Sequence, residues 1–389
     1  MGNSQILTAQ EQIEYLRDCK NVAFDLVDET GAQMFLEDRN YFFKLKAFAK
    51  NFDKRFAEGE DKGKYINLDF GHLVELSRLD KQLRDLVLQL TLDIEHCLKT
   101  RINKAAMAQQ VDSCDLTARY LSMSRRNVIA DQVVNMKREH AGLLISQARD
   151  ILEKAIKRDD MEGLAQGVNE AVACLDEARI HRNPDYIADS LSRMKDSPYS
   201  KDLVQKYEGR PLPYWCFLEL VSFGTTISFY NASFRKDGLL ASDKLETVVQ
   251  KRTRNLLRRA QSLRNAAAHN DCLLNRLSCH GKSKSSAGVK KMLLDGYPVE
   301  EDKFYPVSNV LIAIDLAAVL MCYDEFVPFG ETRAAMAKRL RSMAGRFALR
   351  RDWFKKTEPV DKFIVFVEHL FSCFADIFER GGKSTEADR

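Results

Sequence analysis

Leu73-x2-Leu76-x2-Leu79-x3-Leu83-x2-Leu86-x3-Leu90-x3-Ile94-x3-Leu98 is the stretch that decides the fold. An apolar residue returns every three or four positions for about seven turns, the period of an amphipathic helix and not the two-residue alternation of a strand. Residues 68–102 therefore read as one long helix, or two end to end. Asp93, Glu95 and Arg101 near its end read as a solvated or salt-bridged face.

The same period extends outward on both sides. Residues 9–60 carry Ile13, Leu16, Phe24 and Leu26, then Tyr41, Phe42, Leu45, Phe48 and Phe52, which predicts two or three helices, and Phe56 to Lys64 reads as a connector. Residues 111–195 are charged, poor in aromatics and helical in pattern, ending in the loop-like Arg182-Asn183-Pro184-Asp185. Ser197-Pro198-Tyr199-Ser200 and Glu208-Gly209-Arg210-Pro211-Leu212-Pro213 mark a boundary. Tyr214 to Gly224 follows as a helix apolar on nearly every side. Such a helix is buried, and Glu219 within it then needs a partner or a shifted pKa.

Residues 242–277 read as a further helix. Gly281 to Gly296 reads as a basic loop, Val307 to Phe326 as a buried helix, and Thr332 to Arg350 as a basic amphipathic helix. Val360 to Phe378 closes the series with Phe363, Phe366, Phe371, Phe374 and Phe378. The expected fold class is all-α, a multi-helix bundle. It divides into an N-terminal helical region (1–110), a helical insertion or connector (111–210), a core (211–330), C-terminal helices (331–380) and a disordered tail (381–389).

Composition agrees: eight Pro and eighteen Gly in 389 residues are few, which favours helix. The apolar runs, broken by charges such as Asp315, fall short of the roughly 18 residues of a membrane span. The chain opens without a basic-then-apolar signal segment, and Met1-Gly2-Asn3-Ser4-Gln5-Ile6 lacks the Ser or Thr of a myristoylation signal. A cytoplasmic protein with no membrane partner is expected. Nine cysteines without a Cys-x-x-Cys pair indicate neither a disulfide framework nor a metal site, and no cofactor motif is present.

The net charge of +4 hides an asymmetry. From Arg235 to Lys291 there are fourteen Lys/Arg against four Asp/Glu, +10 locally, leaving −6 elsewhere. At the centre of that basic region stands Leu263-Arg264-Asn265-Ala266-Ala267-Ala268-His269-Asn270. With 31 Arg and 7 His, chance alone supplies about half an Arg-x4-His, so context must carry the reading.

At steps of about 100°, Leu245, Val249, Leu256, Ala260, Leu263, Ala267, Leu274 and Leu277 share one line, the core stripe. Arg254, Arg258, Asn265, His269, Cys272 and Arg276 fall opposite, and Arg264 lies on the flank. His269 is thus aimed outward, either as part of a solvated basic face or as part of a polyanion site.

Arg264-Asn265-x3-His269 followed by Leu274-Asn275-Arg276 is similar to the Arg-Asn-x-x-Ala-His and Asn-Arg signature of the Abi-like (abortive infection) proteins of the HEPN superfamily. Pro213-x-Trp215-x3-Glu219-x3-Phe223-Gly224 resembles the family's preceding helix. Asn40-Tyr41-Phe42-Phe43-Lys44-Leu45, Leu79-Asp80-x2-Leu83-Arg84 and Ile94-Glu95-x2-Leu98-Lys99-Thr100 resemble its N-terminal landmarks in order. The resemblance runs from about residue 10 to 278. It departs at Leu274, where the family commonly has an aromatic, and no landmark is recognised beyond residue 300.

The resemblance implies a HEPN-like core and a metal-independent endoribonuclease whose motifs meet across a homodimer. RNA carries its own nucleophile, the 2′-hydroxyl. His269 would act as general base or acid, Arg264 would stabilise charge at the phosphorus, and Asn265 would orient His269 or a phosphate oxygen. Glu219, Asn275 and Arg276 are expected to support these three. Arg254, Arg258, Arg259, Arg276, Lys282 and Lys284 are candidates for RNA phosphate contacts. An antitoxin protein or a regulatory RNA is a further expected partner. Two other readings stay open: a non-catalytic RNA- or partner-binding module, and a nuclease that processes a small RNA.

Overall fold

The computed structural model describes residues 7–56, 59, 61–123, 198–207, 212–240, 244–278 and 287–380. Their regular elements are all helical, and strand-like pairing among them is limited to isolated bridges, Ala23 with Asp69 and Lys54 with Tyr65. The chain is all-α, as its apolar period predicts. It forms two compact units, Met1–Leu98 with Val248–Arg389, and Lys99–Thr247. The expected positions of residues 124–197 and of the tail from 381 lie outside the described residues.

The main helices are α1 (Ala9–Glu14), α2 (Glu29–Asp38), α3 (Phe42–Phe48), α4 (Phe70–Ala108), α5 (Tyr214–Leu220), α6 (Phe223–Phe234), α7 (Lys244–Ala268), α8 (Ala287–Gly296), α9 (Leu311–Phe326), α10 (Glu331–Ala348) and α11 (Glu358–Glu379). A 3-10 turn, Ala49–Asn51, follows α3.

Helix α4 is a single uninterrupted helix, and within the first unit every member of its predicted stripe from Leu73 to Leu98 is buried. Asp69 starts it. One carboxylate oxygen accepts the Gly71 N–H at 2.7 Å, satisfying a first-turn donor, and the other accepts the N–H groups of Asp25 (2.7 Å) and Leu26 (3.2 Å). The incoming chain lies so close that a Cβ on Gly71 would stand 2.6 Å from the Leu26 Cβ, so this position requires glycine. Further along, the buried Glu75 is paired with Arg346 and Arg350.

Helix α9 is buried on nearly all sides, and the one charge within its buried stretch, Asp315, accepts from Arg259 of α7 at 2.5 Å. Burial raises the Asp315 carboxyl against the pull of that guanidinium, so removing Arg259 would strand a buried acid. The phenylalanine stripe of α11 is buried as expected, and Phe347 of α10 meets Phe363 and Phe371 edge-on. None of the described helices is long and apolar enough to cross a membrane.

In the second unit, the expected single helix from Tyr214 to Gly224 is two helices. Ser222 caps α6, its hydroxyl accepting the Thr225 N–H, and Val221 and Ser222 are extended. Tyr120 packs on Phe217 and Phe229, and the Tyr230 hydroxyl donates to Glu246, which also pairs with Arg101.

His72 lies in the first unit between Phe52 and Phe354. Its Nδ1 accepts the Asp69 N–H at 3.1 Å. Burial pushes the imidazole below its ordinary range, more strongly than Asp69 and the Trp353 backbone bond raise it. The native state thus favours neutral His72, while the unfolded chain takes up the proton near pH 6.5. This contribution is present above that pH and is lost as pH falls toward the native value. Urea unfolding at pH 7, 6 and 5 should show stability falling with acid, and His72→Phe should flatten the slope; equal slopes would exclude the effect.

Candidate functional site

Helix α7 ends at Ala268, not at residue 277 as its sequence pattern predicts. The stop is made by Asn270, whose φ of 60° is left-handed. The Asp271 N–H returns to Ala266 O (2.9 Å) and the Asn270 N–H to Ala267 O (3.2 Å), the paired bonds of a Schellman ending with Asn in place of the usual Gly. His269 is the cap residue, its N–H still bonded to Asn265 O at 2.9 Å. The motif histidine therefore stands at the helix terminus.

On the exposed side of α7, Arg254, Arg258, Ser262, Asn265 and His269 form one ridge. Arg264 is half-buried beside it. Among the described residues, the side chains of Arg264, Asn265 and His269 have no hydrogen-bond or ion-pair partner, and Arg254 and Arg258 have no ion-pair partner. Asn265 thus touches His269 through its backbone carbonyl alone, leaving its amide available for a ligand.

Several expectations are corrected. Arg259 is buried against Asp315 and cannot reach a phosphate, because its place on α7 faces α9. Leu245, expected in the core stripe, is 48% exposed in the first turn of α7. Leu274 and Leu277 are buried, but in a loop, so Cys272 and Arg276 do not extend the ridge by helical geometry. Arg276 is exposed and Asn275 half-buried in that loop. Glu219, in the second unit, is exposed beside Lys99 (3.7 Å), because α5 turns Trp215 and Glu219 outward together. Lys282 and Lys284 lie outside the described residues.

A loop with no regular structure must find partners for its backbone. The segment after His269 finds them on three elements. Lys44 of α3 donates to Asn270 O (3.0 Å) and Oδ1 (2.7 Å). Asn51 donates to Leu274 O (2.7 Å) and accepts the Leu277 N–H (2.8 Å). On α4, the fully buried Asp80 accepts the Leu274 N–H (2.9 Å) and the Arg84 guanidinium, which lies 3.4 Å from Asp271 O. Burial lowers Lys44, with Arg84 adding repulsion, and burial lowers Arg84 as well. Cys272 is raised by burial despite these cations, which keeps its thiol protonated and a poor nucleophile.

Sequence reasoning placed Lys44, Asp80 and Arg84 only as landmarks. The readable signal that was missed is Asn270-Asp271 itself, a stop signal one residue beyond the small-residue run.

A family model described as Abi-like protein matches residues 34–275, more than half of the chain, and the chain belongs to that family. No curated protein and no solved structure matches it. The match spans Lys44, Asn51, Asp80, Arg84, Arg264 and His269, the clamp and the motif together.

Asn51→Ala would leave two buried backbone groups of the loop without partners. At about 1–3 kcal/mol each, the expected loss in unfolding free energy is about 2–6 kcal/mol. Urea titration of the full chain measures it, and a loss below about 1 kcal/mol would mean that the loop is held by other contacts.

Proposed function

We propose that the chain is a metal-independent endoribonuclease of the antiphage abortive-infection type, acting at a site shared by two copies. The observation that carries this reading is the last turn of α7, where Arg264, Asn265 and His269 stand at the end of a cationic ridge with no competing partners among the described residues. Membership of the Abi-like family supports it.

The chemistry balances without an external nucleophile. The 2′-oxygen bonds to the adjacent phosphorus as its proton passes to an imidazole. The phosphorus–5′-oxygen bond breaks, and the departing oxygen takes a proton from an imidazolium. One chain supplies one such histidine, so base and acid together call for His269 from each of two copies. Arg264 offers a planar fork of donors to the phosphorane oxygens, which carry the most charge at the transition state. Arg254 and Arg258 supply backbone affinity that does not depend on sequence.

The ridge would also serve a non-catalytic RNA- or partner-binding module, and the two readings separate at His269. Products from the full-length protein should carry 2′,3′-cyclic phosphate and 5′-hydroxyl ends, and cleavage should persist in EDTA and fail on a DNA copy. His269→Ala should lower the rate by about 10²–10⁴-fold with RNA affinity retained, and should relieve growth arrest when expressed in a bacterium. Equal cleavage by wild type and His269→Ala would remove the nuclease reading. Cleavage should sediment with a dimer, and full activity in a monomer would remove the shared site.

A further inference from the structure

A second cationic surface lies in the first unit, assigned to nothing so far. The end of α2, the start of α3 and one face of α4 enclose a groove of about 930 Å³, and Asn270, the residue after His269, closes one side of it. Five cations line it (Arg39, Lys44, Arg78, Lys81 and Arg84) against one carboxylate, Asp38. Its walls are tied together by Asn40, which donates to the Ser77 hydroxyl at 2.8 Å.

The outermost charges are not consumed internally. Arg39 and Arg78 are exposed, and neither has an ion-pair partner among the described residues. Among the described residues, Lys81 has only an exposed i,i+4 pair with Asp85, which is weak. Deeper in, Arg84 is paired with Asp80 and Lys44 donates to Asn270, so these two add positive charge to the floor of the groove while Arg39 and Arg78 are the cations open to a ligand. Tyr41, 61% exposed, lies on the lining and offers a stacking face. Its volume is at the upper end of small-ligand pockets, but such pockets are mainly apolar and this one is cationic, which suits a charged strand better.

We propose that this groove is a binding track for single-stranded RNA, in which Arg39 and Arg78 hold phosphodiesters and Tyr41 stacks a base, leading the strand past Asn270 to His269. The inference rests on the nuclease reading for its direction toward His269, but RNA binding in the groove can be tested without cleavage.

The probe is fluorescein-labelled oligouridine, bound to the full chain carrying His269→Ala so that it stays intact. Arg39→Gln/Arg78→Gln should weaken binding at least tenfold and make the slope of log affinity against log salt shallower by about 1.4, two contacts at about 0.7 each. The same charge change on the exposed face of α10, Lys338→Gln/Arg339→Gln, should alter affinity less than twofold. Tyr41→Ala should weaken oligouridine by about five- to hundredfold and leave an abasic oligomer unaffected. Thermal melting checks that the variants remain folded.

Equal affinity in the parent and the Arg39/Arg78 variant, an equal loss in the α10 control, or no binding of oligouridine by the parent would each overturn the proposal. So would loss of poly-glutamate binding with oligouridine binding unchanged, which would make the groove a dock for an acidic protein. Failure of the nuclease reading is separately visible as cleavage that does not respond to His269→Ala.

Discussion

Asp80 has no exposed surface, and both its oxygens are engaged close to one loop, one accepting the Leu274 N–H and the other the Arg84 guanidinium beside Asp271. A buried carboxylate is tolerated only with such partners, and the loop in turn needs acceptors and donors that regular structure does not provide. Each satisfies the other. Removing one would leave a buried charge or a bare peptide group, so the position of the chain after His269 is over-determined by α4. Lys44 and Asn51 add further bonds to the same loop from α3 and the turn after it.

This constraint explains how an exposed histidine can still be well placed. Among the described residues, His269 has no side-chain bond to hold it; its backbone is fixed instead, before it by α7 and after it by the clamp. The motif side chains stay uncommitted among the described residues, while the residues that fix the backbone lie elsewhere. Arg259 shows the opposite case: its charge is used to neutralise Asp315 inside the core and is not available outside.

Much of the helical architecture was legible because burial has a period. The stripe of α4 and the phenylalanines of α11 could be read directly, since each buried position is repeated by the helix geometry itself. What could not be read has a common cause: periodicity says which residues are buried and not by what route. Leu274 and Leu277 continue the α7 stripe in sequence and are buried, yet they reach the core through a loop. Arg259 and Glu219 were misjudged because burial of a charge depends on a distant partner, Asp315 for one and none needed for the other. At the motif, the outward aim of Asn265 and His269 was legible from angle alone; the clamp was not, as its bonds join residues 187 to 226 positions apart.

Those separations bear on when the site comes into being. Lys44 and Asn270 stand 226 positions apart, and Asn51 and Leu274 stand 223 apart. Closing such large loops is entropically costly, so these contacts form late relative to the local helices. A ribosome making this chain therefore releases the clamp residues long before the motif they hold, and a nascent product interrupted before residue 269 has the scaffold without the histidine. The complementary fragment would have the histidine without the scaffold. The loop after the histidine is fixed only when both halves are present, a dependence that comes from chain order alone.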